Sequence, residues 1–228
     1  MPPTRLLFTA FGSFPGARVN PTSAIARLVL TRHGRRLSRL GLELHTAELP
    51  VIFAGAEERA RDLIENLQPD AVLHLGLAGR RKRLSFEVRA RNRLNVLHPD
   101  AARARAERLL IEQGGPAFRP ARAPIARCVH AIAATGAACA RSIDAGDYLC
   151  NQTLFASLGS NAPVVAFLHV PRPRRLRTKR RKHGSGVTLA QMAEGAVAAL
   201  LVMAWEARRV QRTPSRTGKA RQAQKAKG

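Results

Sequence analysis

Cys150 is the residue of this sequence best placed to act as a nucleophile. It follows the turn-forming pair Ala145-Gly146 and stands at the start of a segment with helical spacing, so we expect it in the first turn of a helix. There the free backbone amides and the helix dipole favour the thiolate, and we expect the thiol pKa to fall below its usual value of about 8.5. The position is typical of a cysteine nucleophile.

His169 and Glu87 could supply the acid–base chemistry that such a thiol needs. His169 lies near the end of an apolar strand-like run, and Glu87 lies in the segment that follows another one. A histidine can take the thiol proton and return it to a leaving amine, while a carboxylate fixes the ring and stabilises the imidazolium. Taken singly, the three residues also have structural explanations: a buried thiol, a packing histidine and an ion-pair partner.

Strand-like and helix-like segments alternate along the chain, which predicts an α/β fold with a mostly parallel sheet. We expect one domain, residues 1–209, built as an α/β/α sandwich with a twisted central sheet flanked by helices. In such a sheet, ligands bind beyond the carboxyl ends of the strands, where the three candidate residues fall. The predicted strands span 5–10, 42–49, 71–75, 137–143 and 163–170, and the predicted helices 20–32, 54–67, 101–113, 124–135, 147–158 and 188–208.

Four short motifs follow one another in a fixed order. They are AFGSF at 10–14 with NPT at 20–22, GLAG at 76–79 followed by Arg81, Glu87, Ala90 and Asn92, AGDYLCN at 145–151, and FLHVP at 167–171. In order and spacing, over roughly residues 5–207, these segments resemble the pyroglutamyl peptidase I family of cysteine peptidases.

The resemblance implies an omega peptidase that removes N-terminal pyroglutamate (5-oxoproline) from peptides through a thioester. The matching positions make Cys150 the nucleophile, His169 the general base and acid, and Glu87 the residue that orients the histidine. No cofactor or metal is implied, and a homo-oligomer, dimer or tetramer, is expected. The positions that match the family's lactam pocket are Phe11, Phe14, Leu77, Tyr148 and Leu149.

The sequence departs from the family pattern around this expected site. Ala10 and Pro15 stand where the family usually has glycine, and Leu77 stands where many members have glutamine. The basic loops 79–93 and 172–182 should lie near the rim of the site. They could repel cationic peptides, favour acidic ones, or mark a member whose catalysis has changed.

The net charge raises a different possibility, a polyanion-binding protein. The chain has 228 residues with 39 Lys+Arg against 15 Asp+Glu, a formal charge of +24. Almost all of the excess lies in three windows, 80–93, 172–182 and 208–228. Phosphate contacts from such clusters give salt-dependent affinity, but only 4% of residues are aromatic, so base stacking is poorly supported. We therefore expect at most nonspecific binding of nucleic acid.

The remaining features indicate an ordinary intracellular enzyme. The odd number of cysteines predicts free thiols at Cys128 and Cys139, and His74 reads as a packing residue within a strand. No apolar run reaches the roughly 18 residues that span a membrane, and no signal peptide is evident, so we expect a cytoplasmic protein without a membrane partner. No G-x-S-x-G motif supports a serine hydrolase. Residues 210–228 are predicted to be a basic, disordered tail.

Overall fold

A computed structural model describes residues 2–14, 19–174 and 186–212 of the chain. Strands and helices alternate through most of it, as the sequence predicts. The strands are β1 (Thr4–Phe11), β2 (Leu42–Leu49), β3 (Ala71–Leu77), β4 (Leu84–Glu87), β5 (Arg89–Arg91), β6 (Phe118–Pro120), β7 (Cys139–Ser142) and β8 (Val164–Val170). The helices are α1 (Pro21–Arg39), α2 (Phe53–Leu67), α3 (Ile125–Ala134), α4 (Leu149–Leu158) and α5 (Leu189–Arg212).

Six strands form one mixed sheet in the order β2-β1-β3-β8-β4-β7. The pairs among β2, β1, β3 and β8 are parallel, β4 is antiparallel to β8, and β7 is parallel to β4. Strands β5 and β6 form a separate antiparallel pair. The expected α/β fold with a mostly parallel sheet is confirmed.

Helices cover both faces of the sheet. One apolar core joins α1, α3 and α5 to one face, and a second joins α2 and α4 to the other. The central strand β8 is buried along its whole length, which explains its continuous apolar sequence. On β8, Phe167 lies on the α2 and α4 face and Leu168 on the opposite face, so alternate residues serve different cores.

The helix predicted at 101–113 is wrong. The described chain there is irregular, because Asp100 Oδ1 accepts hydrogen bonds from the backbone amides of Ala102 and Ala104 and holds the segment in a turn. Its apolar residues do not form a buried stripe either: Ile111 is buried, whereas Leu109 is 59% exposed. Helical spacing without a surface to pack against did not produce a helix.

Other elements differ from the prediction in extent. The helix predicted at 20–32 continues to Arg39, and the last helix continues to Arg212, so the predicted tail begins inside α5. The rest of that tail, the arginine-rich run at 177–182 and Pro15 lie outside the described residues. Three short strands, β4 to β6, were not predicted; the basic charge of 79–93 favoured a loop, although residues 84–91 alternate between apolar and polar types.

Helix α5 is the one described helix that is long and apolar enough, by length and composition, to span a bilayer. Half of its most apolar window is buried, and its small and apolar residues, such as Ala196, Leu200 and Met203, belong to the core. It therefore has the character of a core helix.

Candidate active site

The Cys150 thiol lies beneath the first turn of α4, as the sequence predicts. Tyr148 is the N-cap residue of this helix, and no side chain caps its first amides. The Sγ atom lies against Gly76 near the end of β3: a Cβ atom on this glycine would be 2.8 Å from Sγ and 2.6 Å from Cζ of Phe167. A glycine is needed here because any side chain would occupy the space of the sulfur and the ring.

His169 is placed beside the same glycine by the register of the sheet. It pairs with Gly76 of β3 on one side and with Ser85 of β4 on the other. Its ring lies 4.7 Å, centroid to centroid, from that of Phe167. The thiol and the imidazole therefore share two neighbours, Gly76 and Phe167.

Glu87 binds the imidazole from the antiparallel strand β4. Its Oε1 accepts a hydrogen bond from His169 Nδ1 at 2.7 Å and a second from Arg81 Nη1 at 2.6 Å. Arg81 also donates to the carbonyl of Asp144 at 2.7 Å. The carboxylate is fully buried, and the arginine compensates its charge. With Nδ1 engaged in this way, Nε2 is the ring nitrogen left for exchanging a proton with a reacting group.

The environment of Cys150 raises its pKa to about 12. Burial is the largest cause and the negative charge of Glu87 adds to it, while Arg81 and the backbone amide of Cys150 act in the opposite direction. The expectation of a lowered pKa is wrong, because the loss of solvation outweighs the helix terminus. The thiol holds its proton at neutral pH and needs a base to release it.

Four of the five expected pocket residues belong to the apolar cluster against which Cys150 packs. Phe11 and Leu149 are buried members of the apolar cluster that contains Phe167, and Phe14, Tyr148 and Cys150 pack against it. The Tyr148 ring meets Phe53 edge-on at 5.3 Å, and its hydroxyl donates to the carbonyl of Pro99. Burial also raises the pKa of this tyrosine to about 12, so the hydroxyl remains a donor.

Leu77, the fifth expected pocket residue, does not belong to this apolar cluster. It is the last residue of β3, half-buried and paired with Val170. Because side chains alternate along a strand, its side chain lies on the opposite face from Gly76 and the thiol. Its main chain, rather than its side chain, is the part that can take part in the site.

Sequence reasoning did not assign roles to several residues that hold the site together. Gly76, Arg81, Asn151 and Phe167 all stand inside the four motifs, so position within a motif was the only available signal. Asn151 is fully buried; it accepts from the amide of Arg91 and donates to the carbonyls of Arg91 and Arg93. It thereby ties β5 to the first turn of α4.

Metal ligation has no support in this part of the molecule. Among the described residues, no three His, Cys, Asp or Glu side chains are grouped so that they could hold an ion.

Comparison with known proteins decides the family. A model of the pyroglutamyl peptidase family matches residues 4–207. The chain belongs to the pyroglutamyl peptidase family. A pyrrolidone-carboxylate peptidase of Gloeobacter violaceus is 33% identical over 171 residues, 73% of this chain and 81% of that protein. One of Pyrococcus furiosus is 30% identical over 177 residues, 73% of this chain and 80% of that protein.

Solved structures of this peptidase family agree with the fold. Pyrrolidone carboxyl peptidase from Thermus thermophilus is 34% identical, with a TM-score of 0.75 over 86% of this chain and 99% of that one. Pyroglutamyl peptidase I from Bacillus amyloliquefaciens is 26% identical, with a TM-score of 0.76 over 89% of this chain and 95% of that one. The matched family region contains Cys150, Glu87 and His169.

Proposed function

We propose that this pyroglutamyl peptidase family member hydrolyses the amide bond after an N-terminal pyroglutamate, with Cys150, His169 and Glu87 as its catalytic machinery. The observation that supports this assignment is the 2.7 Å bond between His169 Nδ1 and Glu87 Oε1, on the face of the sheet that carries the Cys150 thiol. The orienting carboxylate, the base and the nucleophile thus come from three different elements.

The apolar cluster beside the thiol suits the lactam ring of pyroglutamate. Phe11, Phe14 and Tyr148 offer aromatic walls to a small, flat, uncharged ring. Main-chain groups at the end of β3, where Leu77 lies, are available to hydrogen-bond the ring N–H and C=O. Burial of the ring in this pocket would bring the scissile carbonyl carbon to Sγ.

Acylation then requires the transfer of one proton. Because the thiol pKa is raised to about 12, His169 takes the proton as Sγ attacks the carbonyl carbon, and the Glu87 carboxylate stabilises the imidazolium. The uncapped amides at the start of α4 can donate to the oxyanion. The imidazolium returns the proton to the leaving amine, and the C–N bond breaks.

Deacylation reuses the same groups. His169 takes a proton from water, the hydroxide equivalent attacks the thioester carbonyl, and the C–S bond breaks to release pyroglutamate. The imidazolium then returns its proton to the thiolate of Cys150. No cofactor is required for this cycle.

The test is the release of aminomethylcoumarin from pyroglutamyl-aminomethylcoumarin by the wild type and by Cys150→Ser and His169→Ala. Each substitution is expected to lower kcat/KM by at least about 10³-fold, because nucleophile and base act as a unit. Cys139→Ser is the matched control; this half-buried thiol packs against the opposite core and should leave turnover unchanged. Equal rates in the wild type and both site variants would contradict the proposal.

The proposed partners are small peptides that begin with pyroglutamate. A free thiol nucleophile, together with the free cysteines Cys128 and Cys139, suits a reducing compartment such as the cytoplasm. The expected dimer or tetramer stays a prediction, for which light scattering on the purified protein is the direct measurement.

A further inference from the structure

A basic cleft lies beside the candidate active site. Its volume is about 680 Å³, and the cations Arg81, Lys82, Arg83 and Arg141 line it. Ser85 of β4 and Ser142 of β7 also line it, and the Ser142 hydroxyl donates to the carbonyl of Asp144. Arg81 also binds Glu87 of the proposed catalytic machinery, whereas none of the expected lactam-pocket residues lines this cleft.

The register of the sheet joins the cleft to the catalytic imidazole. Ser85 pairs with His169 on one side and with Ala140 on the other, so these three residues form one row across the sheet. Residues paired in this way carry their side chains on the same face. Neighbouring strands lie about 5 Å apart, so the row extends about 10 Å from His169, the length of about three residues of extended peptide.

The cleft has an excess of positive charge. Arg81 is paired with Glu87, and Asp144, the acidic residue that also lines the cleft, is paired with Arg91 at 3.1 Å. Lys82, Arg83 and Arg141 are exposed, and within the described part of the chain none of these three forms an ion pair. Lys82 and Arg83, two cations at the edge of the cleft without an ion-pair partner among the described residues, are suited to a carboxylate.

We propose that this basic cleft binds an acidic side chain of the substrate, at one of the three positions after pyroglutamate. The inference rests on the proposed function, since it needs the scissile bond to lie between Cys150 and His169. The leaving part of the peptide would run along the row from His169 to Ala140, where Lys82 and Arg83 can reach its carboxylate. Arg141 pairs with Phe86 and therefore carries its side chain on the opposite face of the sheet. The enzyme would thereby prefer acidic peptides.

The test compares two peptides that differ only in charge, pyroglutamyl-Ala-Glu-Ala amide and pyroglutamyl-Ala-Gln-Ala amide. Pyroglutamyl-aminomethylcoumarin, which is too short to enter the cleft, measures the proposed function separately. For the wild type at low salt we expect kcat/KM to be about fivefold or more higher for the Glu peptide, since one or two exposed ion pairs contribute modestly each. In 0.5 M NaCl the Glu-to-Gln ratio should fall towards one, because salt at this concentration screens exposed charges beyond about 4 Å.

Variants of the cleft residues test whether the preference for the Glu peptide arises in the cleft. In Lys82→Gln/Arg83→Gln the Glu-to-Gln ratio should fall, and Lys82→Glu/Arg83→Glu should reverse it. The control Arg32→Gln/Arg35→Gln changes the net charge equally on the exposed side of α1 and should keep the wild-type ratio.

Three outcomes would overturn the inference. A wild-type ratio near one with active cleavage of the coumarin substrate would refute the cleft while leaving the proposed function intact. A preference that survives all the cleft substitutions would place its origin elsewhere. A ratio near one, together with oligothymidylate binding that Lys82→Gln/Arg83→Gln weakens, would assign the cleft to nucleic acid. Absence of turnover on every substrate would instead reject the proposed function itself.

Discussion

The protonation of Cys150 is set by effects that oppose one another within a few ångströms. The helix terminus and Arg81 favour the thiolate, whereas burial and the buried carboxylate of Glu87 favour the thiol. Burial prevails, and the pKa rises to about 12. Catalysis at neutral pH then depends on transferring the thiol proton to His169 during the reaction, rather than on a thiolate that is already formed.

This balance predicts how Cys150 reacts once its base is removed. In His169→Gln, the rate of alkylation by iodoacetamide should rise about tenfold per pH unit from pH 7 to pH 10, because the thiolate fraction grows in that proportion below a pKa of about 12. The wild type should react faster at pH 7 and depend less steeply on pH. Peptide-resolved mass spectrometry measures the modification at each cysteine separately.

The same experiment contains its own control. Cys128 is fully buried and its pKa is also raised to about 12, so it should stay unmodified while the protein remains folded. A rate at Cys150 that levels off below pH 9 in His169→Gln would mean that the thiol pKa is low and that the helix terminus outweighs burial.

Among the elements, strand β4 has the largest effect on the site. It runs antiparallel to β8, so Ser85 pairs with His169 and Glu87, two residues further on, lies on the same face within hydrogen-bonding reach. We expected Glu87 in a loop because the segment is strongly basic, although Leu84-Ser85-Phe86-Glu87 alternates between apolar and polar residues as a strand does. Residue type alone offered Glu87 as one possible orienting carboxylate, the family resemblance implied that role, and the sheet shows its position.

The long apolar elements were predictable because they satisfy local and tertiary requirements together. Strand β2 was predicted with its observed bounds, Leu42–Leu49, and Cys150 was correctly placed in the first turn of its helix. His74 was expected to be a packing residue: it is buried between Thr9 and Ser157, and burial lowers its pKa to about 3. The segment at 101–113 failed because hydrogen bonds to Asp100 decide its shape, and spacing patterns do not contain them.

Asn151 links two of these elements, and its removal should destabilise the fold. Asn151→Ala would leave the amide of Arg91 and the carbonyls of Arg91 and Arg93 without their buried partner. We expect a loss of about 2–4 kcal/mol in the free energy of unfolding, since each unsatisfied buried group costs about 1–3 kcal/mol. Urea unfolding followed by circular dichroism gives the change in midpoint.

Asn161→Ala provides the matched comparison. Asn161 is exposed in the turn before β8, and its substitution should change stability by less than about 0.5 kcal/mol. If both alanine variants unfolded at the same urea concentration, the three hydrogen bonds of Asn151 would not be needed to hold β5 on α4.

At the scale of the whole molecule, two of the three basic windows can be examined separately: 80–93, at one side of the site, and 208–228, near the carboxyl terminus. The segment 79–93 supplies Arg81, Lys82 and Arg83 to the basic cleft. Part of the positive charge that suggested a polyanion partner therefore lies beside the His169 imidazole. Residues 213–228 contain five further Lys and Arg and no Asp or Glu. The two groups of charges should therefore be separable by experiment.

Removal of residues 213–228 should separate peptidase activity from adhesion to nucleic acid. The shortened chain, residues 1–212, keeps every described element and should cleave pyroglutamyl-aminomethylcoumarin at the wild-type rate. Its affinity for a duplex oligonucleotide should fall, and the slope of log affinity against log salt should become shallower, because each lost phosphate contact lowers the slope by about 0.9. Fluorescence anisotropy between 50 and 300 mM NaCl measures both the affinity and its salt slope. Over that range the affinity of the wild type should drop by about 10³-fold or more. Tight binding that persists at the highest salt and is indifferent to the truncation would instead indicate a specific nucleic-acid site on the folded domain.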